Sequence, residues 1–334
     1  MSFRARVLAH KKQTAALSVL AFILIAAPLV LDRYFLSVMV LVFWSAYVGQ
    51  AWNVMMGFTG LLSLGHALYV GVAAYVAAAL YVHFGVSPLL GLFPAAAACM
   101  GFGAAIGWLG FRFRIEGVYF ALLTIAFAEA TRIGFDNSAW TGGAGGLFIS
   151  VSSRTAGQWW NLRGGPLLFY YIALALAVAA LVLCAALMRS PLGYRWLAVR
   201  EDPEAARALG INVLRARMAS VLVSAAMTSL AGVFYAFYYN NIFSGQIFDI
   251  SRSIEIILAP IIGGTGTLAG PILGAFVLIP LGEVLLWCTQ ALGLNAPGVE
   301  TLLYGLCLMI IVARAPDGLW PWLVRRLGFA GDAQ

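Results

Sequence analysis

Charged residues are scarce in this sequence, and their scarcity excludes most soluble folds. Asp, Glu, Lys and Arg make up 10% of the 334 residues, whereas 63% of the residues are hydrophobic. Soluble domains carry about 25% charged residues, because their surface must be hydrated by water. The sequence therefore predicts a protein whose surface lies mostly in contact with lipid.

Lysine is almost absent, and this excludes one class of nucleotide-binding site. The two lysines are Lys11 and Lys12, and neither follows a glycine. A P-loop requires the pattern G-x-x-x-x-G-K-[ST], in which the lysine holds the phosphates. No P-loop can form in this sequence, so any ATP hydrolysis has to take place on another polypeptide. We expect no enzymatic activity, no metal site and no cofactor.

Cysteine is also rare, and its positions do not indicate metal binding. The four cysteines show no C-x-x-C spacing and all lie within apolar runs: Cys99, Cys184, Cys288 and Cys307. Buried cysteine without such spacing behaves as a small hydrophobic residue. We expect these side chains to pack in the interior rather than to form disulfides.

Long apolar runs are what the sequence does have. Each run below has about the length of a membrane-spanning helix. They are Thr14–Leu31, Phe35–Met56, Ala67–His83, Pro88–Phe111, Gly117–Phe135, Pro166–Met188, Arg217–Asn240, Ala269–Cys288 and Pro297–Ala313. The shorter stretch Ile254–Gly264 is expected to complete a further crossing as a broken helix extended by Asp249–Ser253. The sequence predicts an all-α polytopic transmembrane bundle of about ten membrane segments, with residues 1–334 forming one domain.

The basic residues lie between the apolar runs, which indicates membrane topology rather than nucleic-acid binding. Short cytoplasmic loops of membrane proteins are enriched in Arg and Lys, and this accounts for the net charge of +7. Basic residues near the two ends place both termini in the cytoplasm: Arg4, Arg6, Lys11, Lys12, Arg314, Arg325 and Arg326. Loop 189–217 is then cytoplasmic and loop 136–165 external. Thr14–Leu31 exceeds the usual signal-peptide core of about 7–15 residues, so we expect an uncleaved anchor.

Two glycine-rich stretches interrupt the helical pattern at corresponding places in the two halves of the chain. They are "GFTGLLSLGH" (Gly57–His66) and "IIGGTGTLAGP" (Ile261–Pro271). Broken helices at matching positions predict a transport site, whereas small residues also allow two helices to pack closely. Both interpretations remain open. The candidate pathway residues are Gly57, Thr59, Gly60, Ser63, His66, Gly263, Gly264, Thr265 and Gly266.

Charged side chains within the apolar runs are candidates for function, because burying a charge in lipid is costly. Glu129 is one candidate pathway residue, although Arg132 follows at i+3 and could neutralise it in a structural pair. Glu283 has no such neighbour and is expected near the cytoplasmic end of its helix. His66 is either a structural donor or a ligand of the pathway.

One short charged stretch, "AVREDPEAARALGI" (Ala198–Ile211), stands apart from the rest of the chain. Asp202 is a favourable N-cap, Pro203 suits the first helical turn and Gly210 suits a helix end. A rigid surface helix that presents small residues between Glu204 and Arg207 predicts a docking site for another protein. Lipid binding is the weaker alternative, because the acidic residues would be repelled by anionic lipid.

Four segments of the sequence resemble one family of membrane proteins. They are "GFTGLLSLGHALYVGVAAYVAAAL", "YFALLTIAFAEATRIGFDNSAWTGGAGGL", "SPLGYRWLAVREDPEAARALGINVLRAR" and "GGTGTLAGPILGA". Together they resemble the permeases of branched-chain amino-acid ABC importers, and the second segment is typical of the LivM-type subunit. The resemblance implies a location in the bacterial inner membrane.

The resemblance also implies a set of partners and of coupling residues. A LivM-type subunit is expected to act with a LivH-like second permease subunit, two ABC ATPase subunits and a periplasmic substrate-binding protein. The coupling segment of the family corresponds here to Arg200, Glu201, Ala205, Ala206, Gly210 and Ile211. Within the same segment, Asp202, Glu204 and Arg207 are coupling candidates from the helix pattern itself.

The substrate is less closely defined than the family. Branched-chain amino-acid members often carry Asn or Asp in the T-G-G-x-x-G segment, where this sequence has Ala144 and Gly145. Leucine, isoleucine or valine is the first expectation, and family relatives that carry urea, short amides or aromatic acids are the alternatives. A different class, an ion-coupled secondary transporter using Glu129 or Glu283, also remains open.

Overall fold

The structure, a computed structural model, describes residues 22–150, 159–293 and 298–326. Helices dominate these residues, and two short strands pair in an antiparallel ladder, β1 (Leu147–Phe148) and β2 (Asn241–Ile242). The helices are α1 (Arg33–Thr59), α2 (Ala67–Phe84), α3 (Pro88–Arg112), α4 (Val118–Asp136), α5 (Pro166–Met188), α6 (Pro191–Glu201), α7 (Pro203–Ala208), α8 (Val213–Tyr239), α9 (Ser244–Ile247), α10 (Ile250–Gly263), α11 (Gly270–Ala291), α12 (Val299–Arg314) and α13 (Leu319–Arg326).

The predicted all-α membrane bundle is confirmed. Seven of the described helices are long and apolar enough to cross a membrane, or eight if α12 and α13 form one bent span. Helix α10 has 14 residues, about 21 Å at helical rise, and is too short to cross the roughly 30 Å hydrocarbon core alone. The run Thr14–Leu31 lies largely outside the described residues. The count of ten segments and the sides of the termini therefore stay predictions.

Helices α1 and α8 form the centre of the bundle. Each has 27 residues, and 78% of its most apolar 18 residues are buried. The corresponding share is 22% for α5 and for α11. Aromatic side chains join the two helices, since Trp44 donates from Nε1 to the Ala231 carbonyl and Tyr47 donates to the Met227 carbonyl. Such rings bury a large apolar area while their polar atom finds a partner.

The first glycine-rich stretch ends α1 and returns the chain into the bundle. Gly60 ends the helix with φ 71°, a left-handed conformation that glycine adopts without strain. The chain then runs without helix until α2 begins at Ala67. Its backbone is bonded within the protein: Thr124 Oγ1 accepts from the amides of Leu64 and Gly65, and Ser253 Oγ accepts from that of Ala67. Non-helical backbone survives at membrane depth only with partners of this kind.

Helices α10 and α11 form a tight hairpin around the second glycine-rich stretch. A Cβ atom on Gly263 would lie 1.7 Å from the Gly270 carbonyl oxygen, and one on Gly274 would lie 1.8 Å from the Ala259 carbonyl oxygen. The two backbones are therefore in direct contact, and any side chain at these glycines would force them apart. Packing of this kind is what the small-residue alternative predicts for a membrane helix pair.

Candidate coupling site and pathway residues

The charged stretch forms the short helix α7 that its residues predict. Asp202 Oδ1 accepts from the amide of Glu204 at 2.8 Å and from that of Ala205 at 3.1 Å, which completes the N-cap. Gly210 has φ 83° and ends the turn that follows the helix. Both ends of the helix are thus fixed locally, so its shape does not depend on packing against the rest of the bundle.

One face of α7 is free of contacts with its own chain. Ala205 and Ala208 are exposed, and Leu209, directly after the helix, is 81% exposed. Glu204 and Arg207 flank this face and are exposed as well. Ala206 is different, because only 2% of it is accessible and a docking partner cannot touch its side chain. Ala206 anchors α7 to the bundle, which is not the direct docking contact expected from the family pattern.

Arg200, in the last turn of α6, reaches from loop 189–217 to both glycine-rich stretches. Its Nη1 donates to the Gly57 carbonyl oxygen at 2.7 Å, near the C-terminal end of α1. Cations are favourable at helix C-termini, where carbonyl groups lack partners. A Cβ atom on Gly60 would lie 3.6 Å from Arg200 Cγ, and one on Gly266 would lie 2.6 Å from Nη1. Arg200 therefore contacts both stretches at once.

The second glycine-rich stretch also bonds to polar side chains of α1 that precede the first stretch. Asn53 Oδ1 accepts from the Gly266 amide at 2.8 Å, and its Nδ2 donates to the Thr267 carbonyl at 3.0 Å. Gln50 Nε2 donates to the Leu268 carbonyl. The sequence analysis missed both amides, although two amide side chains spaced i, i+3 in an apolar run are a signal of interhelical bonding. We call the group Gln50, Asn53, Gly57, Arg200 and Gly266 the junction.

The predicted pathway residues divide into buried and exposed ones. Gly57, Gly263 and Gly264 are buried, as are Thr59, Ser63 and His66 with 2%, 1% and 0% of their surface accessible. Gly60 and Thr265 are exposed, and Gly266 is half-buried. Among these residues of the two stretches, a solute can reach only the last three in this conformation. A pathway role for the whole set stays a prediction, and it requires the two contacting stretches to move apart.

Two buried polar residues of the first stretch, Thr59 and His66, bond to α8. His66 Nε2 lies 2.9 Å from Thr228 Oγ1 and 3.3 Å from Ser224 Oγ, and Ser224 donates to the Ala51 carbonyl. Thr59 Oγ1 lies 3.0 Å from Ser220 Oγ. His66 is thus fully buried against α8 and its side chain does not cap the start of α2, and a pathway role for it stays a prediction.

Glu129 and Glu283 each have a polar partner. Arg132 Nε donates to Glu129 Oε2 at 3.0 Å, and its Nη1 lies 2.8 Å from Asp136 Oδ2, so the expected i, i+3 pair forms. Glu283 accepts from the hydroxyl of Tyr34, at the start of α1. That end of α1 is opposite to Gly57 and Arg200, so Glu283 lies at the other end of the bundle from loop 189–217, and its position relative to the cytoplasm stays a prediction. Within the described residues, no three His, Cys, Asp or Glu side chains are grouped to hold a metal ion.

The backbone contact between α10 and α11 leads to a stability prediction. We expect Gly274→Ala to destabilise the protein by about 1–3 kcal/mol or more, because its Cβ has to displace the Ala259 carbonyl. Gly101→Ala is the matched control: it lies within helix α3, and its Cβ would meet nothing within 4 Å. Thermal denaturation in detergent should show a lower Tm for Gly274→Ala and an unchanged or raised Tm for Gly101→Ala. Equal Tm values for the two variants would contradict the contact.

Comparison with known proteins agrees with this architecture. The family model described as "Branched-chain amino acid transport system / permease component" matches residues 34–312. The LivM permease protein of the Escherichia coli high-affinity branched-chain amino acid transport system is 30% identical, over 93% of this chain and 75% of its own.

Two relatives with other named solutes match less of the chain. The autoinducer 2 import permease LsrC of an Enterobacter species is 30% identical over 59% of this chain and 56% of its own. The fructose import permease FrcC of Rhizobium meliloti is 28% identical over 46% and 42%. No solved structure matches the chain significantly. The family match covers most of the described helices, and the chain belongs to the branched-chain amino acid transport system permease family.

Proposed function

We propose that this chain is one of two permease subunits of an ATP-driven importer in the bacterial inner membrane, and that it carries branched-chain amino acids. The observation that supports the proposal is α7, a capped helix with a free face that is joined through Arg200 to both interruptions of the membrane helices. A LivH-like permease subunit, two ABC ATPase subunits and a periplasmic binding protein complete the proposed assembly. ATP hydrolysis takes place on the ATPase subunits.

The geometry supports a simple route from ATP to the membrane. An ATPase subunit docks on Ala205, Ala208 and Leu209, with Glu204 and Arg207 setting the orientation through charge. Asp202 is the single residue between α6 and α7, so movement of α7 displaces the end of α6 and with it Arg200. Displacing Arg200 removes its bond to Gly57 and loosens the junction. The chain itself performs no chemistry and transmits movement only.

Branched-chain amino acids are favoured over other solutes by the extent of the match. The LivM protein matches 93% of this chain, whereas the relatives named for autoinducer 2 and fructose match 59% and 46%. Sugar import is the second candidate, because the fructose import permease FrcC is among the relatives that match this chain. Competition for leucine uptake by isoleucine and valine supports the proposal, and competition by fructose, urea or an aromatic acid instead would replace it.

The ion-coupled alternative has less support from the contacts of its two candidate carboxylates. Glu129 forms an ion pair with Arg132, and its side chain is 52% exposed. A proton carrier within a membrane is usually found facing the bundle interior or a cavity, where its protonation can change. Glu283 bonds to Tyr34, at the opposite end of α1 from the junction, so it lies far from Arg200 and loop 189–217.

A pair of adjacent substitutions tests the docking of the ATPase subunits. We expect Ala205→Trp to abolish co-purification of the ATPase subunits, because a large ring on the free face of α7 prevents close approach. The permease should still fold, since Ala205 is exposed. Ala206→Trp should instead lower the yield of folded permease, because that site is buried. Normal ATPase co-purification and normal uptake by Ala205→Trp would contradict the proposed docking face.

A further inference from the structure

Three arginines line a pocket at the end of the bundle that carries loop 189–217. Arg114 comes from the turn between α3 and α4, Arg207 from the last turn of α7, and Arg217 from the start of α8. The pocket has a volume of about 330 Å³ and is partly open to its surroundings. We call it the basic pocket. Its arginines come from separate segments of the chain, so the fold brings them together.

The basic pocket carries more positive charge than its own residues neutralise. Glu116 is the only acidic residue among those that the structure describes around it, and it accepts from Arg217 Nη1 at 2.5 Å. The Nε atom of Arg217 is buried and has no hydrogen-bond partner within the described part of the chain. No carboxylate of the described residues lies within 4.0 Å of Arg114 or Arg207. The pocket is therefore complementary to a further anionic group.

Arg114 occupies a backbone position that favours glycine. It follows the end of α3 with φ 54°, and the next residue, Ile115, donates from its amide to the Gly110 carbonyl. Glycine closes a helix most readily in this way, because it has no Cβ atom to clash in the left-handed region. An arginine that is held there despite this cost indicates a use for its side chain.

A groove continues from the basic pocket along α4. It has a volume of about 570 Å³ and shares Arg114 and Glu116 with the pocket. Helix α4 is one of the helices long and apolar enough to cross the membrane. Beyond the shared end, the groove is lined by side chains of one helix face: Tyr119, Leu122, Leu123 and Ala126. These residues extend over about 11 Å of the helix axis, so the groove runs from the membrane surface into the hydrocarbon layer.

We propose that the basic pocket and the groove together bind one anionic phospholipid of the surrounding membrane. Its phosphate group lies among Arg114, Arg207 and Arg217, and an acyl chain lies along α4. Basic pockets between membrane helices are typical binding places for anionic lipid head groups. Arg114 precedes the first residue of α4, Val118, by four residues, which places the phosphate where the hydrocarbon layer begins. A soluble anion would use the pocket alone, and the adjoining apolar groove favours a lipid.

Lipid binding by the purified transporter tests the head-group site. Arg114→Gln removes a positive charge from the basic pocket without changing α7, whose Arg207 also flanks the docking face. Arg112→Gln is the matched control, because Arg112 is exposed and does not line the pocket. Native mass spectrometry in detergent measures the binding of phosphatidylglycerol and of phosphatidylcholine. We expect Arg114→Gln to bind phosphatidylglycerol about fivefold more weakly than the unchanged protein, and Arg112→Gln to bind it equally well. Phosphatidylcholine should bind weakly to all three.

Filling the groove distinguishes a lipid from a soluble anion. Ala126→Trp places a large ring in the groove, and Ala179→Trp on α5 is its control, since both alanines are exposed on membrane helices. We expect Ala126→Trp, but not Ala179→Trp, to weaken phosphatidylglycerol binding. Glycerol 3-phosphate at the same concentration should not bind.

Two results would overturn the lipid site. One is equal phosphatidylglycerol binding by Arg114→Gln and Arg112→Gln, which would show that the basic pocket does not hold the head group. The other is binding of glycerol 3-phosphate that Ala126→Trp leaves unchanged, which would show a site for soluble anions. The measurement needs neither ATP nor uptake, so its outcome does not depend on the proposed function.

Discussion

Replacing Arg200 with alanine is expected to lower substrate uptake more than tenfold while the ATPase subunits remain bound and continue to hydrolyse ATP. Its guanidinium group joins loop 189–217 to the Gly57 carbonyl, and it also lies against Gly266. A hydrogen bond to a charged donor contributes about 1.5–3 kcal/mol, and the docking face of α7 does not depend on it. We therefore expect the variant to lose uptake driven by ATP hydrolysis while it still binds the ATPase subunits. Uptake and ATP hydrolysis are measured on the same proteoliposomes.

Two further variants separate coupling from charge. Arg189→Ala removes an exposed arginine at the start of the same loop and should leave the ratio of uptake to hydrolysis unchanged. Arg200→Lys keeps the charge but loses the planar guanidinium group, and it should restore uptake only in part. Two results would show that Arg200 does not link α7 to the membrane helices. One is loss of ATPase binding in Arg200→Ala, and the other is a ratio of uptake to ATP hydrolysis equal to that of Arg189→Ala.

Local features of the sequence predicted the elements of the fold well. The apolar run Pro166–Met188 became α5 with the same bounds, because a proline begins it and polar residues follow it. Helix α7 was predicted with its cap, since Asp202, Pro203 and Gly210 act within a few residues of one another. Signals of this kind depend on neighbouring residues, so they can be read without knowing the rest of the structure.

Contacts between distant parts of the chain could not be predicted in the same way. Asn53 and Gly266 bond although they are separated by most of the chain, and no local pattern indicates which partner an amide in an apolar run will find. The contact of Glu283 with Tyr34 was missed for the same reason, because the two residues are far apart in the sequence. The burial of Ala206 was missed because the family pattern names the coupling residues without indicating which of them are exposed.

The glycine-rich stretches show how one sequence feature can serve two roles. Their glycines were open to two interpretations, and close packing is what the structure describes at Gly57, Gly263 and Gly270. The same packing forms the junction, in which a guanidinium group and two amides hold backbone that is not helical. A seam of small residues and polar bonds can open without exposing large apolar side chains, which is what our proposed mechanism requires.

The energy source of uptake tests the central claim of this account most directly. Purified transporter, with both permease subunits, the ATPase subunits and the binding protein, is reconstituted in vesicles, and radiolabelled leucine uptake is followed with and without ATP at the ATPase side. Each condition is repeated with a protonophore. We predict uptake that requires ATP and is unaffected by the protonophore. Uptake that persists without ATP and collapses with the protonophore would contradict the account and favour an ion-coupled transporter.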